Sequence, residues 1–278
     1  MSSYFPIPND FYISEEKKVL LTSSVSLLNY PSNCLIENLR NDGEDVFYCI
    51  YFLKDNKWLK HSENRCKFGQ FIEFRREDLN LPKNTMAVVV PSKEPDCIYQ
   101  TKTLPEPHSI RRDKSLVAER ASYNFNIKGI SSSYQGEYPK SLALIKKSSF
   151  FTFDSIRVEK EIGSETWLLL MNLRSNAKDN MVHELSLYNP TNKVIIKRIK
   201  VKDNSFTSHL LPRESKNNRD PIFITCPTGT FIPIFISISF DGVSYEISVE
   251  HTHPPTELYW GLSKFIGSKN IKERWVKR

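Results

Sequence analysis

Phe231-Ile-Pro-Ile-Phe-Ile-Ser-Ile-Ser-Phe240, then Asp241-Gly242, then Val243-Ser-Tyr-Glu-Ile-Ser-Val-Glu250 is the stretch whose reading decides the fold. Two β-branched and aromatic runs flank an Asp-Gly pair, and that arrangement favours a hairpin closed by a two-residue type I′ turn. Such a turn pairs Phe240 with Val243, Ile238 with Tyr245, Ile236 with Ile247 and Ile234 with Val249. Every pair is apolar, so the turn register and the buried face agree. Glu246 and Glu250 fall on the opposite face.

Extending the register pairs Ile232 with His251, which opens His251-Thr-His253-Pro-Pro-Thr-Glu257. Residues two apart on a strand share a face, so His251 and His253 project side by side, as two ligands of one metal ion would. The spacing His-x-His-x3-Glu resembles the first metal-binding motif of the cupin superfamily over this short segment. The resemblance implies that His251, His253 and Glu257 are ligands of a divalent metal, Zn or Fe, serving as a Lewis acid or activating water. No histidine follows Glu257, so a fourth ligand is expected upstream, from His183, His209 or Glu137. The same residues also have a purely structural reading. Pro254 and Pro255 cannot donate to a ladder and stop the strand, and a carboxylate at Glu257 suits the first turn of a helix.

Upstream, the same strand chemistry recurs. Asp45-Val-Phe-Tyr-Cys-Ile-Tyr-Phe-Leu-Lys54 is aromatic and β-branched, Asp55-Asn56-Lys57 supplies a turn, and Trp58 opens the next segment. Phe71-Ile-Glu-Phe-Arg75 and Met86-Ala-Val-Val-Val90, the latter ended by Pro91, are shorter strands. Trp167-Leu-Leu-Leu-Met171, Glu184-Leu-Ser-Leu-Tyr188 and Lys193-Val-Ile-Ile-Lys-Arg-Ile-Lys-Val201 continue the pattern, with a turn at 189–192 and a polar loop at 213–220. Between these groups, Thr101-Lys-Thr-Leu-Pro-Glu-Pro-His108 and the mixed-charge residues 109–120 read as a linker. Leu258, Leu262, Phe265 and Ile266 have amphipathic helical spacing. The expected fold is therefore mainly β: two tandem antiparallel β-sandwich-like domains, 1–101 and 125–262, joined by a linker at 102–124. A short C-terminal helix and a basic tail at 263–278 follow.

Composition bounds the function. The formal net charge is +7, but Lys264, Lys269, Lys272, Arg274, Lys277 and Arg278 face only Glu273 in the tail, so most of the excess sits there. A nearly neutral body argues against nucleic acid as the partner, and the tail reads as a solubilising terminus. Cys34, Cys49, Cys66, Cys97 and Cys226 are odd in number and widely spaced. That pattern suits reduced thiols, with one bridge among the first four left open. The N-terminus lacks a basic and an apolar region, so no signal peptide is expected. The longest nearly apolar run, 231–240, is about half of a bilayer span. The expected location is the cytoplasm.

No Gly-x-Ser-x-Gly, CxxC, GxGxxG or GxxxxGK[ST] occurs. A second polar cluster does: Ser131-Ser-Ser-Tyr134-Gln135-Gly136-Glu137-Tyr138-Pro139-Lys140. Tyr134, Gln135, Glu137 and Tyr138 combine aromatic faces with amide and carboxylate groups, which suits a sugar-binding loop. The same segment also reads as a tight turn with Gly136 at positive φ and its tyrosines packed on a sheet. The expected function is a non-enzymatic binding or accessory protein for a carbohydrate or protein ligand. The alternative is a metal-dependent enzyme using His251, His253 and Glu257.

Overall fold

The structure, a computed structural model, describes residues 2–13, 19–28, 44–82, 84–108, 121–136, 138–144, 150–154, 165–189, 194–211, 222–229, 231–251, 270 and 274. Strands dominate, arranged in antiparallel sheets with one short helix among the described residues. The chain clusters into two units. The first takes Met1–Asn126, Ser131–Leu144 and Leu173–Asp179; the second takes Ile127–Ile130, Ile145–Asn172 and Asn180–Arg278.

The first unit contains β1 (Ser3–Ile7), β2 (Phe11–Ile13), β3 (Val19–Leu28), β4 (Val46–Lys54), β5 (Lys57–Cys66) and β6 (Phe71–Arg75). It continues with β7 (Ala87–Ser92), β8 (Gln100–Thr101), β9 (Ala121–Ile127) and β10 (Ile130–Gly136) apart from their ends at Ile127 and Ile130, then β11 (Tyr138–Pro139) and the helix α1 (Lys140–Leu144). One sheet runs β11-β1-β7-β4-β5-β8; the other runs β10-β9-β3-β2, with β6 also paired to β3. The β4–β5 hairpin turns at Asp55 and Asn56, whose φ angles of 50° and 56° are those a type I′ turn requires. Tyr48 and Tyr51 of β4 and Trp58 of β5 are fully buried. The Trp58 indole donates to the Ser175 carbonyl at 2.9 Å.

Two expectations change in this unit. Pro91 does not end its strand, because β7 continues to Ser92 with Pro91 opposite Tyr48. The Pro91 carbonyl accepts the His108 N–H at 2.8 Å, so the side lacking a donor faces that loop. β1 has stopped pairing by then, its last partner in that direction being Val89. The missing N–H therefore costs no ladder bond. Residues 121–124, expected in the linker, are instead the first part of β9, which pairs with β3 from Ser122 opposite Ser26 to Asn126 opposite Thr22. Ala121, Tyr123, Phe125 and Ile127 alternate inward along it. Residues 109–120 lie outside the described residues.

The second unit contains β12 (Phe150–Asp154), β13 (Glu165–Asn172), β14 (Val182–Asn189), β15 (Val194–Lys202), β16 (Ser205–Leu210), β17 (Ile222–Cys226), β18 (Ile232–Phe240) and β19 (Tyr245–His251). Its sheets run β12-β17-β14-β15 and β16-β13-β18-β19. Leu168 and Leu170 of β13 and Phe235 of β18 share one buried cluster with Leu185 and Leu187 of β14, Ile199 and Val201 of β15, and Ile224 of β17. Both sheets thus contribute to a single core.

The hairpin that opened the reading is present with a corrected register. Phe240 lies opposite Tyr245, Ile238 opposite Ile247, Ile236 opposite Val249 and Ile234 opposite His251. Residues 241–244 form a four-residue loop in place of the expected two-residue turn. The Asp241 carboxylate accepts the backbone N–H groups of Val243 and Ser244, each at 2.7 Å. That local bonding pulls Val243 out of the ladder, leaving it 91% exposed. The shift is two residues, so each side chain keeps its face. Part of the expected turn at 189–192, the loop at 213–220 and the helix at 258–266 lie outside the described residues, as does most of the basic tail. Among the described residues no helix is long and apolar enough to cross a membrane.

Candidate functional site

Of the expected metal ligands, His253 and Glu257 lie outside the described residues, and His251 enters only through its backbone at the end of β19. Glu137 is also outside them. Among the described residues no group of three His, Cys, Asp or Glu side chains is arranged to hold a metal ion. His183 has both ring nitrogens engaged, Nε2 with Asp203 Oδ1 and Nδ1 with Thr228 Oγ1, each at 3.0 Å. His209 sits on β16 opposite Leu168. Its Nε2 has no hydrogen-bond partner among the described residues. Burial, with Lys197 nearby, holds its pKa below the ordinary histidine value.

Within the 131–140 cluster, residues 131–136 and 138–139 are strand rather than loop, and Lys140 opens α1. Tyr134, on β10, is 8% exposed and stacks on Tyr123 with ring centroids 5.1 Å apart. Tyr138, on β11, is fully buried; its hydroxyl donates to the Leu173 carbonyl and accepts the Leu173 N–H, both at 2.9 Å. Gln135 faces solvent. Gly136 is a strand residue without positive φ; the turn lies earlier, at Lys128 and Gly129, with φ of 47° and 87°. The cysteines Cys49, Cys66, Cys97 and Cys226 are free thiols, with Cys97 alone among these four exposed.

A different site takes shape in the first unit. A cavity of about 200 Å³ opens beside the end of β7, bounded by residues 94–96 and 105–106. Pro91, Pro95 and Pro105 give it stiff apolar walls, and the acidic residues Glu94, Asp96 and Glu106 are part of its lining. The buried Cys49 of β4 completes the lining. Each bounding segment is tied down. Tyr4 of β1 donates its hydroxyl to the Pro105 carbonyl at 3.0 Å. Asp96 accepts the Tyr51 hydroxyl through Oδ2 and the Ile98 N–H, at 2.9 Å, through Oδ1. Lys140 of α1 forms an ion pair with Glu106.

Beside the cavity, Glu63 of β5 is the hub. Its Oε2 accepts Lys60 Nζ at 2.7 Å, the Asp96 N–H at 2.9 Å and the Cys49 thiol at 3.4 Å. Lys60 also donates to the Asp96 carbonyl. Burial opposes ionisation of Glu63, but these donors outweigh it and hold its pKa below the ordinary carboxylate value. Burial first, and the bond to Glu63 second, push the Cys49 thiol up to about 12. Cys49 is therefore a protonated thiol and a hydrogen-bond donor, not a thiolate nucleophile. Burial, then the bond to Asp96, likewise raises the Tyr51 pKa.

This arrangement offers an ordered, acid-lined recess rather than an activated nucleophile. The sequence carries a signal for it in two acid–proline tripeptides, Glu94-Pro95-Asp96 and Pro105-Glu106-Pro107. The second tripeptide lies in a stretch of linker-like composition, and only the folded strand order brings residues 49, 90–96 and 105–106 together. Compared with family models, curated proteins and solved structures, the chain has no match.

Proposed function

We propose that this chain is a non-enzymatic binding protein built of two β-sandwich domains in tandem, and that the cavity of the first unit receives one cationic side chain of a protein partner. The sandwich reading rests on the two antiparallel sheets found in each unit and on the core that both sheets of the second unit share. The single observation that carries the binding reading is the cavity itself. At about 200 Å³ it is smaller than the roughly 300–1,000 Å³ of small-molecule sites and suits a single side chain. Its carboxylates complement a cation, and its proline walls suit the apolar stem of lysine or arginine. Of the two ligand classes expected from sequence, protein is favoured over carbohydrate. Tyr134 and Tyr138, the rings a sugar would stack on, are spent on packing and on the Leu173 backbone.

Selection of a random-heptapeptide display library against the full chain tests this reading. Enriched peptides should share a lysine or arginine at one fixed position, and the preference should vanish against a Glu94→Gln/Glu106→Gln variant. Enrichment with no fixed basic position, or a preference indifferent to those substitutions, would refute it.

A further inference from the structure

The second unit holds a relay that the cavity does not use. His183 of β14 is 1% exposed, with Asp203 Oδ1 3.0 Å from Nε2 and Thr228 Oγ1 3.0 Å from Nδ1. Asp203 Oδ1 also accepts Asn172 Nδ2 at 3.1 Å, and its Oδ2 accepts the Met181 N–H at 3.1 Å. With Asp203 ionised and the imidazole neutral, the arrangement the relay requires, Nε2 carries the proton toward the carboxylate and Nδ1 presents its lone pair to Thr228. In that arrangement the Thr228 hydroxyl donates to Nδ1, and its oxygen also lies 3.8 Å from Cys226 Sγ. These are the roles that carboxylate, imidazole and hydroxyl play in a serine-hydrolase relay, with the two ring nitrogens interchanged.

Two observations set this chain of bonds apart from ordinary core packing. A network serving only the core would be buried at both ends, whereas Asp203 and His183 are buried and Thr228 is exposed. The neighbouring position is a glycine with no room for anything larger. A Cβ at Gly229 would lie 2.9 Å from His183 Nδ1 and 2.6 Å from Phe231 Cζ. Phe231 meets the imidazole edge-on, with centroids 5.6 Å apart, and fixes the ring plane.

We propose that Thr228 is an activated hydroxyl that accepts an acyl group from small activated esters. Thr228 Oγ1 attacks the carbonyl carbon while its proton moves to His183 Nδ1. The tetrahedral intermediate then collapses, the bond to the leaving oxygen breaks, and the departing alkoxide or phenolate takes the proton from Nδ1. The products are a Thr228 ester and a free alcohol or phenol, with no oxidant or reductant involved. Asp203 is a positioning residue, holding the tautomer in which Nδ1 is the base.

The probe is p-nitrophenyl acetate, incubated with the full chain and followed by mass-spectrometric mapping. The expected result is a hydroxylamine-labile acetyl ester on Thr228, absent in Thr228→Val, retained in Thr228→Ser, and formed about 100-fold more slowly in His183→Gln. Acetylation confined to lysine amides, or Thr228 labelled no faster than other exposed hydroxyls, overturns the proposal. Should His183→Gln fail to fold, ¹⁵N spectra of the wild-type imidazole decide the matter. A protonated Nε2 with a bare Nδ1 supports the relay, and a protonated Nδ1 overturns it.

Discussion

Gly136 shows how a single missing side chain shapes the first unit. A Cβ there would lie 2.5 Å from Tyr134 Cε2 and 3.2 Å from Tyr123 Cδ2, so the stacked rings occupy the space an alanine would need. Gly136→Ala is expected to lower stability by about 1–3 kcal/mol, the usual range for overpacking, measured by urea denaturation. A neutral substitution would mean that the ring pair is not packed as described. Cys49 makes a second prediction at this scale. Its thiol has an ordinary value of 9.0 and is held at about 12 in the fold. Between those values the unfolded chain gives up a proton that the folded chain retains, so stability falls as pH rises through that window. One such group contributes a slope of about 1.4 kcal/mol per pH unit. Urea unfolding between pH 8 and 11 should show that decline, with a shallower slope in Cys49→Ala. Raised tyrosine pKa values at Tyr4 and Tyr51 add to the alkaline loss and persist in the variant. An unchanged slope in Cys49→Ala would contradict the assignment.

The strands themselves were largely legible, because alternation is a local property. Leu185 and Leu187 point inward along β14, and Ile199 and Val201 do so along β15, as their spacing requires. The register of the β18–β19 hairpin was not legible from the same signal. A slip of two residues keeps every apolar side chain on its face, so alternation cannot separate a two-residue turn from the four-residue loop. The deciding event is the Asp241 carboxylate bonding its own chain at Val243 and Ser244. Those N–H donors, that of Ser244 foremost, hold its pKa below the ordinary carboxylate value. Cross-strand nuclear Overhauser contacts should link residue 240 to 245 and 238 to 247. Contacts linking 238 to 245 would restore the shorter turn. β9 escaped the sequence reading for another local reason. Its outward positions are Ser122, Asn124 and Asn126, which beside mixed-charge residues 109–120 blend into a linker composition.

At the scale of the whole molecule, the chain visits the first unit three times, returning at Ser131–Leu144 and again at Leu173–Asp179. Long-range anchors within that unit explain why a linear reading does not find it. Tyr138 bonds Leu173, Trp58 bonds Ser175, and the Ala177 N–H bonds the Lys102 carbonyl at 2.8 Å. The cavity is a product of the same non-local assembly, with its carboxylates and prolines contributed by separate segments around β4 and β7. Its acidic lining is offset in part by Lys140 on Glu106 and by the Tyr51 and Ile98 donors on Asp96, while Glu94 also lines the cavity. A cation held there is expected to bind more weakly as salt rises, because screening grows over a Debye length of about 8–10 Å at physiological ionic strength. The most direct measurement is a ¹H–¹⁵N titration of the full chain with Nα-acetyl-arginine-N-methylamide, using Nα-acetyl-norleucine-N-methylamide as the uncharged control. The account predicts saturable shifts at Val90, Ser92 and Asp96 with a dissociation constant on the order of 1 mM, absent with the control and lost in Glu94→Gln/Glu106→Gln. Shifts of equal size with the uncharged probe, or none at these residues with the arginine probe, would contradict it.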